Sequence, residues 1–154
     1  MMLIKTRIGP SRIQGIGLFA DQNIKKGTEI WRFTPGFDLK FTDDQIKRLP
    51  PRARRYIIKY SWKSDKSNLR CFSMDDGKYF NHSDNPNALS KYYDGEEEVV
   101  TKAIRDIKKG EEITDNYRSF ESTFRKPKIT NKTCGCTDHL NLAIFWHSFG
   151  NSIK

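Results

Sequence analysis

Gly77-Lys78-Tyr79-Phe80-Asn81-His82-Ser83-Asp84-Asn85-Pro86-Asn87 is the stretch whose reading decides the fold. Two aromatic rings lead into a dense run of short polar side chains, and one proline interrupts it. Ser, Asp and Asn bond readily to nearby backbone, and Pro86 turns Asn85 away from helix. The segment is therefore expected as a sharply folded loop. Taken alone it reads as a surface turn with an incidental histidine. Its company changes that reading: Gly15-Ile16-Gly17 lies upstream, and Gly110-Glu111-Glu112-Ile113-Thr114-Asp115-Asn116-Tyr117 lies downstream.

Working outward, short apolar runs separated by turns flank the loop on both sides. Met2 to Ile8 reads as a first strand, Gly9-Pro10-Ser11 as a turn, and Arg12 to Ala20 as a stretch in which two glycines sit before an apolar strand. Ile24 to Ile30 reads as a turn feeding a strand through Trp31 and Phe33. Thr42 or Asp43 caps a short helix stopped by Pro50-Pro51, and Arg52 to Trp62 carries Tyr56, Ile57 and Tyr60 at helical spacing. Strands then resume at Cys71 to Met74, Asn87 to Tyr93 and Glu98 to Ile104, the last two joined by a turn at Asp94-Gly95. Asp106-Ile107-Lys108-Lys109-Gly110 resembles Asn23-Ile24-Lys25-Lys26-Gly27, a repeated turn rather than a repeat architecture. The chain is predicted to be mostly β with a short helical insert at about 42–66.

The 154 residues suffice for one domain with a real core. No apolar run approaches a membrane span, and the start is too short for a signal sequence. Three cysteines argue against a secreted disulfide scaffold. A soluble, intracellular protein of cytoplasm or nucleus is the expectation, with no membrane partner. The net charge of +9 is uneven: Lys47, Arg48, Arg52, Arg54, Arg55, Lys59, Lys63, Lys66 and Arg70 are opposed only by Asp65. This 47–70 patch suits nucleic-acid phosphates or an acidic surface, and equally a solvated helix face. Asp94 with Glu96, Glu97 and Glu98 reads as an exposed hairpin tip.

The chemistry-bearing residues are sparse. Gly15-Ile16-Gly17 lets backbone approach a ligand closely, but lacks the third glycine and the βαβ setting of a dinucleotide fingerprint. Adjacent His82 and Ser83 do not make a hydrolase pair, and there is no Gly-x-Ser-x-Gly elbow. Tyr117 alone reads as packing. Cys134-x-Cys136, with His139, Cys71 and His147 as further donors, matches no strong zinc spacing, so no metal is expected.

Together the pieces resemble a SET-domain protein lysine methyltransferase. Gly15-Ile16-Gly17-Leu18-Phe19-Ala20 resembles that family's first motif, Phe80-Asn81-His82-Ser83 with Pro86-Asn87 its central motif, and Gly110 to Thr114 ending in Tyr117 its last. The resemblance implies a β-clip fold of small sheets with a pseudoknot, the central and last segments crossing. It implies a SET domain over about 1–120 and a post-SET-like C-terminal tail over 121–154. It also implies S-adenosyl-L-methionine as cofactor, held by the backbone of Gly15, Ile16 and Gly17, by Asn81 and His82, and by Lys78. Tyr117 would be the catalytic tyrosine, beside the transferring methyl, and the tail residue Trp146, with Phe145 and Phe149, would cover the adenine.

The implied activity is S-adenosylmethionine-dependent methylation of a lysine amine in a histone or other protein. A non-catalytic SET-like module binding basic peptide or nucleic acid is the alternative that the basic patch suggests. Three departures stand out. Asp84 replaces a cysteine common after the central motif, and the tail lacks the remaining cysteines of a zinc site. Asp115 stands where relatives place a Phe or Tyr that influences how many methyls are added, which leaves the product state open.

Overall fold

The computed structural model describes residues 1–125, of which Met1–Thr123 form one compact unit. Ten strands make three small sheets: β1 (Thr6–Pro10), β2 (Ile16–Ala20), β3 (Glu29–Arg32), β4 (Leu39–Phe41), β5 (Ser61–Lys63), β6 (Arg70–Phe72), β7 (Asn81–His82), β8 (Ala88–Tyr92), β9 (Val99–Ala103) and β10 (Glu112–Asp115). The sheets run β1-β2-β10-β7, β3-β9-β8 and β4-β6-β5. Two short helices, α1 (Asp43–Arg48) and α2 (Pro51–Tyr60), form the insert. The mostly β expectation holds.

The strand most important for the site is β10. It pairs antiparallel with β2 (Ile113↔Leu18) and parallel with β7 (Thr114↔Asn81, Asp115↔His82). Fully buried Leu18 and Ile113 anchor the first pairing in the core. The polar loop at 81–87 is tied to the same strand from its far end. Asn87 Nδ2 donates to the Glu112 carbonyl at 2.8 Å, and the Thr114 N–H donates to Asn87 Oδ1 at 2.9 Å. Segments about thirty residues apart in sequence thus become neighbours.

The two similar turns also meet. Ile24 and Ile107, both buried, exchange backbone hydrogen bonds at 2.8 Å each way. The same local solution thereby closes against itself.

Several expectations are corrected. Gly9 and Pro10 end β1 rather than form a turn, pairing with Gly17 and Ile16. Proline is tolerated there because β1 is an edge strand. The turn is Ser11–Gly15, closed by the Ser11 N–H on the Gly15 carbonyl at 2.9 Å. Met2 makes only an isolated bridge to Trp31. The second helix stops at Tyr60, and Trp62 lies in β5 opposite Cys71. There its ring packs edge-on against Trp31 and Phe120, so tertiary contacts outweigh helical spacing. Glu98 is not part of an exposed tip. It is 1% exposed, accepting from Ser64 Oγ at 2.6 Å and pairing with Lys40 at 2.8 Å.

Candidate active site

Asn81 is positioned by what precedes it. Asp75 caps the one-turn helix Asp76–Tyr79, accepting at Oδ1 from the Gly77 N–H (2.9 Å), Ser73 Oγ (2.8 Å) and Trp31 Nε1 (3.1 Å). Burial raises the Asp75 carboxyl's pKa, but these bonds, with the Met2 N–H, hold it below the usual range. Gly77 must be glycine here, since a Cβ would stand 2.6 Å from Trp31 Nε1.

The Asn81 side chain then bridges to the first motif. Its Nδ2 faces the carbonyls of Gln14 and Ile16 at 3.2 Å each and Glu112 Oε1 at 2.8 Å. Ser11 Oγ donates to the same carboxylate at 2.8 Å. Gly17 packs directly on it, with a hypothetical Cβ only 2.3 Å from Glu112 Oε1. Gly15 turns the chain with φ 51°, a conformation glycine adopts at little cost.

His82 is clamped to the last motif. Its Nδ1 accepts from the Tyr117 N–H at 3.2 Å, which leaves the ring proton on Nε2, 3.2 Å from Asp84 Oδ1. Arg118 donates to the same Asp84 oxygen at 2.7 Å. The His82 and Tyr117 rings lie 5.4 Å apart. Tyr117 donates its phenolic hydrogen to the Phe80 carbonyl. Burial, and then the negative charges of Asp115 and Glu121, push this phenol above its ordinary pKa, so it stays neutral at physiological pH.

Gly15, Ile16, Gly17, Asn81, His82 and Tyr117 are therefore gathered at one place. Lys78 is one turn away: its ammonium donates to the Asp75 carbonyl at 2.9 Å and lies 5.3 Å from the Tyr79 ring centre. Trp146, Phe145 and Phe149, like Cys134, Cys136, His139 and His147, lie outside the described residues. Among the described residues there is no His/Cys/Asp/Glu cluster suited to a metal.

Beside Tyr117 opens a cavity of about 100 Å³, walled by Trp31, Tyr60, Trp62, Phe80 and Phe120. That is room for several waters or a slender alkyl chain. Asp115, Ser90 and Thr101 also line it, all buried, whereas Lys59 on its lining is exposed. Burial pushes the Asp115 carboxyl up to about 6, against hydrogen bonds from Ser90 and Asn116 that pull it down. Sequence reading did not find the walls of this cavity or the bridging role of Glu112. Its walls come from β3, α2, β5 and the segments around β7 and β10, so no local pattern could announce them. Ser11 and Glu112 are likewise 101 positions apart.

A family profile described as SET domain matches residues 15–118. The H3 lysine-4 specific histone-lysine N-methyltransferase of Aspergillus oryzae is 28% identical over 149 residues, covering 88% of this chain and 11% of that protein. Histone-lysine N-methyltransferase 2D of Homo sapiens is 26% identical over 119 residues, covering 75% of this chain and 2% of that protein. The chain thus spans a small part of the curated relatives that it matches. Polycomb Repressive Complex 2 of Chaetomium thermophilum, solved in an autoinhibited conformation bound to S-adenosylmethionine, aligns with TM-score 0.55 and 25% identity. That alignment covers 76% of this chain and 16% of the other.

Proposed function

Since this chain belongs to the SET-domain family, we propose that it is an S-adenosylmethionine-dependent protein lysine N-methyltransferase. The observation that carries the proposal is the junction of β7 and β10, where Asn81, His82 and Tyr117 are held together against the Gly15-Ile16-Gly17 segment.

The residues present suit the cofactor. Carbonyls of Gln14 and Ile16, the Asn81 side chain and the His82 edge form a polar cradle fit for an amino-acid end, and Gly17 lets that segment close onto Glu112. Gly15, Ile16, Gly17, Asn81 and His82 would hold it, with Lys78 and Trp146 as further contacts. When bound, it supplies a sulfonium-activated methyl group.

The chain's own residues do the rest by placement. Tyr117, kept neutral and tethered to the Phe80 carbonyl, orients a neighbouring amine rather than deprotonating it. An attacking lysine must be neutral, and at pH 7 a free lysine pays about 4.6 kcal/mol for that, from ~1.36 kcal/mol per pKa unit. Positioning beside Tyr117 supplies much of the rate.

We further propose that residues 1–120 are the catalytic unit and 121–154 a tail that completes it. The substrate is a lysine of a histone or another protein, met in cytoplasm or nucleus. Among the described residues, no helix is long and apolar enough to cross a membrane. Incubation with radiolabelled cofactor and histones or lysate tests the proposal. Label should enter protein lysine and fall roughly 100-fold in Tyr117→Phe. Undiminished transfer in that variant would remove Tyr117's role, and absence of cofactor binding would remove the activity.

A second reading has its own support. Arg52, Arg55 and Lys59 are exposed on α2, so the 47–70 patch suits nucleic-acid phosphates. Salt-sensitive binding to duplex DNA, lost when these three are changed to glutamine, supports that contact. Its retention in the variant rules it out.

A further inference from the structure

The aromatic cavity beside Tyr117 contains a feature that methyl transfer does not demand. Asp115 is 2% exposed, lines the cavity, and enters no ion pair among the described residues. Its Oδ1 accepts the N–H groups of Ser90 (3.1 Å) and Asn116 (2.7 Å), and its Oδ2 accepts the Ser90 hydroxyl. Ser90 Oγ in turn lies 2.6 Å from Thr101 Oγ1. A carboxylate offers about four acceptor directions, so these three bonds leave it able to take one more donor.

A purely structural tie between β10 and β8 would need no charge. An asparagine could accept the same two backbone donors and bond Ser90 Oγ through its amide. Burying an ionised carboxylate among aromatic rings is unfavourable unless a cation accompanies it. The cavity itself is shaped for such a cation, because ring faces attract ammonium groups as well as exclude water.

We infer that Asp115 is the counter-ion of an alkylammonium bound in the Trp31–Trp62 cavity, and that it selects a charged amine over an uncharged group of the same shape. The inference rests on the proposed lysine methylation, whose substrate side chain is a primary alkylamine. Other charges on the cavity are Glu121, which reinforces Asp115, and Lys59 and Lys78, which oppose it. Lys59 is exposed, and Lys78 is directed onto the Asp75 carbonyl, so the buried carboxylate dominates inside. A counter-ion stabilises the ammonium and not the neutral attacking amine. It therefore tightens substrate binding and adds to the cost of deprotonation from the bound state.

The test uses n-butylammonium and 1-butanol, a charged and an uncharged probe of the same length, titrated into the full chain. Binding is read from the indole N–H resonances of Trp31 and Trp62. The expected result is that n-butylammonium binds roughly 10- to 100-fold more tightly, and that Asp115→Asn removes this preference while 1-butanol binding persists. Glu121→Gln should keep the preference. Equal binding of both probes to the wild type, no binding of either, or loss of the preference in Glu121→Gln with retention in Asp115→Asn each overturns the inference. Should Asp115→Asn fail to fold, the wild-type comparison and Glu121→Gln still decide it. Preference for the cation without any methyl transfer would sink the enzymatic reading and leave this one standing. With an active enzyme, Asp115→Asn should raise KM without lowering kcat.

Discussion

The backbone N–H of Tyr117 donates to Nδ1 of His82 at 3.2 Å, although the two residues stand 35 positions apart. This bond fixes the imidazole tautomer and locks the start of the turn Tyr117–Ser119 to β7. Changing His82 to alanine removes both the acceptor and the ring beside the phenol. Methyl transfer should fall roughly 100-fold, the scale expected when a reacting group is misplaced by about 1 Å. Cofactor affinity measured by calorimetry should fall with it. Asp84→Asn, which meets His82 at its outer Nε2 edge and also accepts from Arg118, should lose less than tenfold. Equal activity in His82→Ala and wild type would show that the clamp is irrelevant to chemistry.

Gly17 and Glu112 make the second coupled pair. An alanine Cβ at position 17 would press to 2.3 Å from Glu112 Oε1, the oxygen that also receives Asn81 and Ser11. Gly17→Ala should destabilise the fold by about 1–3 kcal/mol through this overpacking. Glu112→Ala removes the obstructing carboxylate, so the double variant should be less destabilised than the sum of the singles. Urea unfolding of the four proteins measures this directly, and strict additivity would show that the two residues do not meet.

Asp115 gives a pH dependence of definite sign. Its folded pKa is raised to about 6 from an ordinary 3.8, so between these values the folded state binds more protons than the unfolded. Stability from this group is full below pH ~4 and declines as pH rises through 6, by on the order of 2–3 kcal/mol. The wild type minus Asp115→Asn difference in unfolding free energy, followed from pH 4 to 7, isolates this contribution from other carboxyls. It should move against the wild type as pH rises. A flat difference would mean that burial does not penalise the charge.

Much of the frame was legible because the motif residues serve local needs as well as the site. Pro86 and the Asn–Asp run force a loop, so its place follows from backbone physics. Trp62 reads as helical in sequence because Tyr56, Ile57 and Tyr60 continue a helical period up to it. Only pairing with Cys71 and contact with Trp31 and Phe120 draw it into β5. Glu98 reads as exposed for a related reason. It follows two other glutamates, and nothing local says that the third points inward to Lys40 and Ser64. The cavity is invisible to any window of sequence, since residues from several separate elements enclose it.

That buried glutamate carries the last prediction. Glu98 is held by Ser64 Oγ and by Lys40, whose ammonium also reaches Glu97 at 2.8 Å. Burial alone would raise the Glu98 carboxyl's pKa, but hydrogen bonds from Lys40 and Ser64 prevail and hold it below the ordinary carboxylate value. Its stabilising contribution is therefore present at neutral pH and lost as pH falls through the folded pKa. Glu98→Ala leaves Lys40 without its buried partner and should cost about 3 kcal/mol at pH 7, the low end for a broken buried pair because Glu97 remains. Glu98→Gln keeps an acceptor for Ser64 and should cost less. Below pH 4 the penalty in both variants should shrink, as the wild-type carboxyl takes up its own proton. Unfolding curves at pH 7 and pH 3 test this. A penalty that does not change with pH would assign the effect to packing rather than to charge.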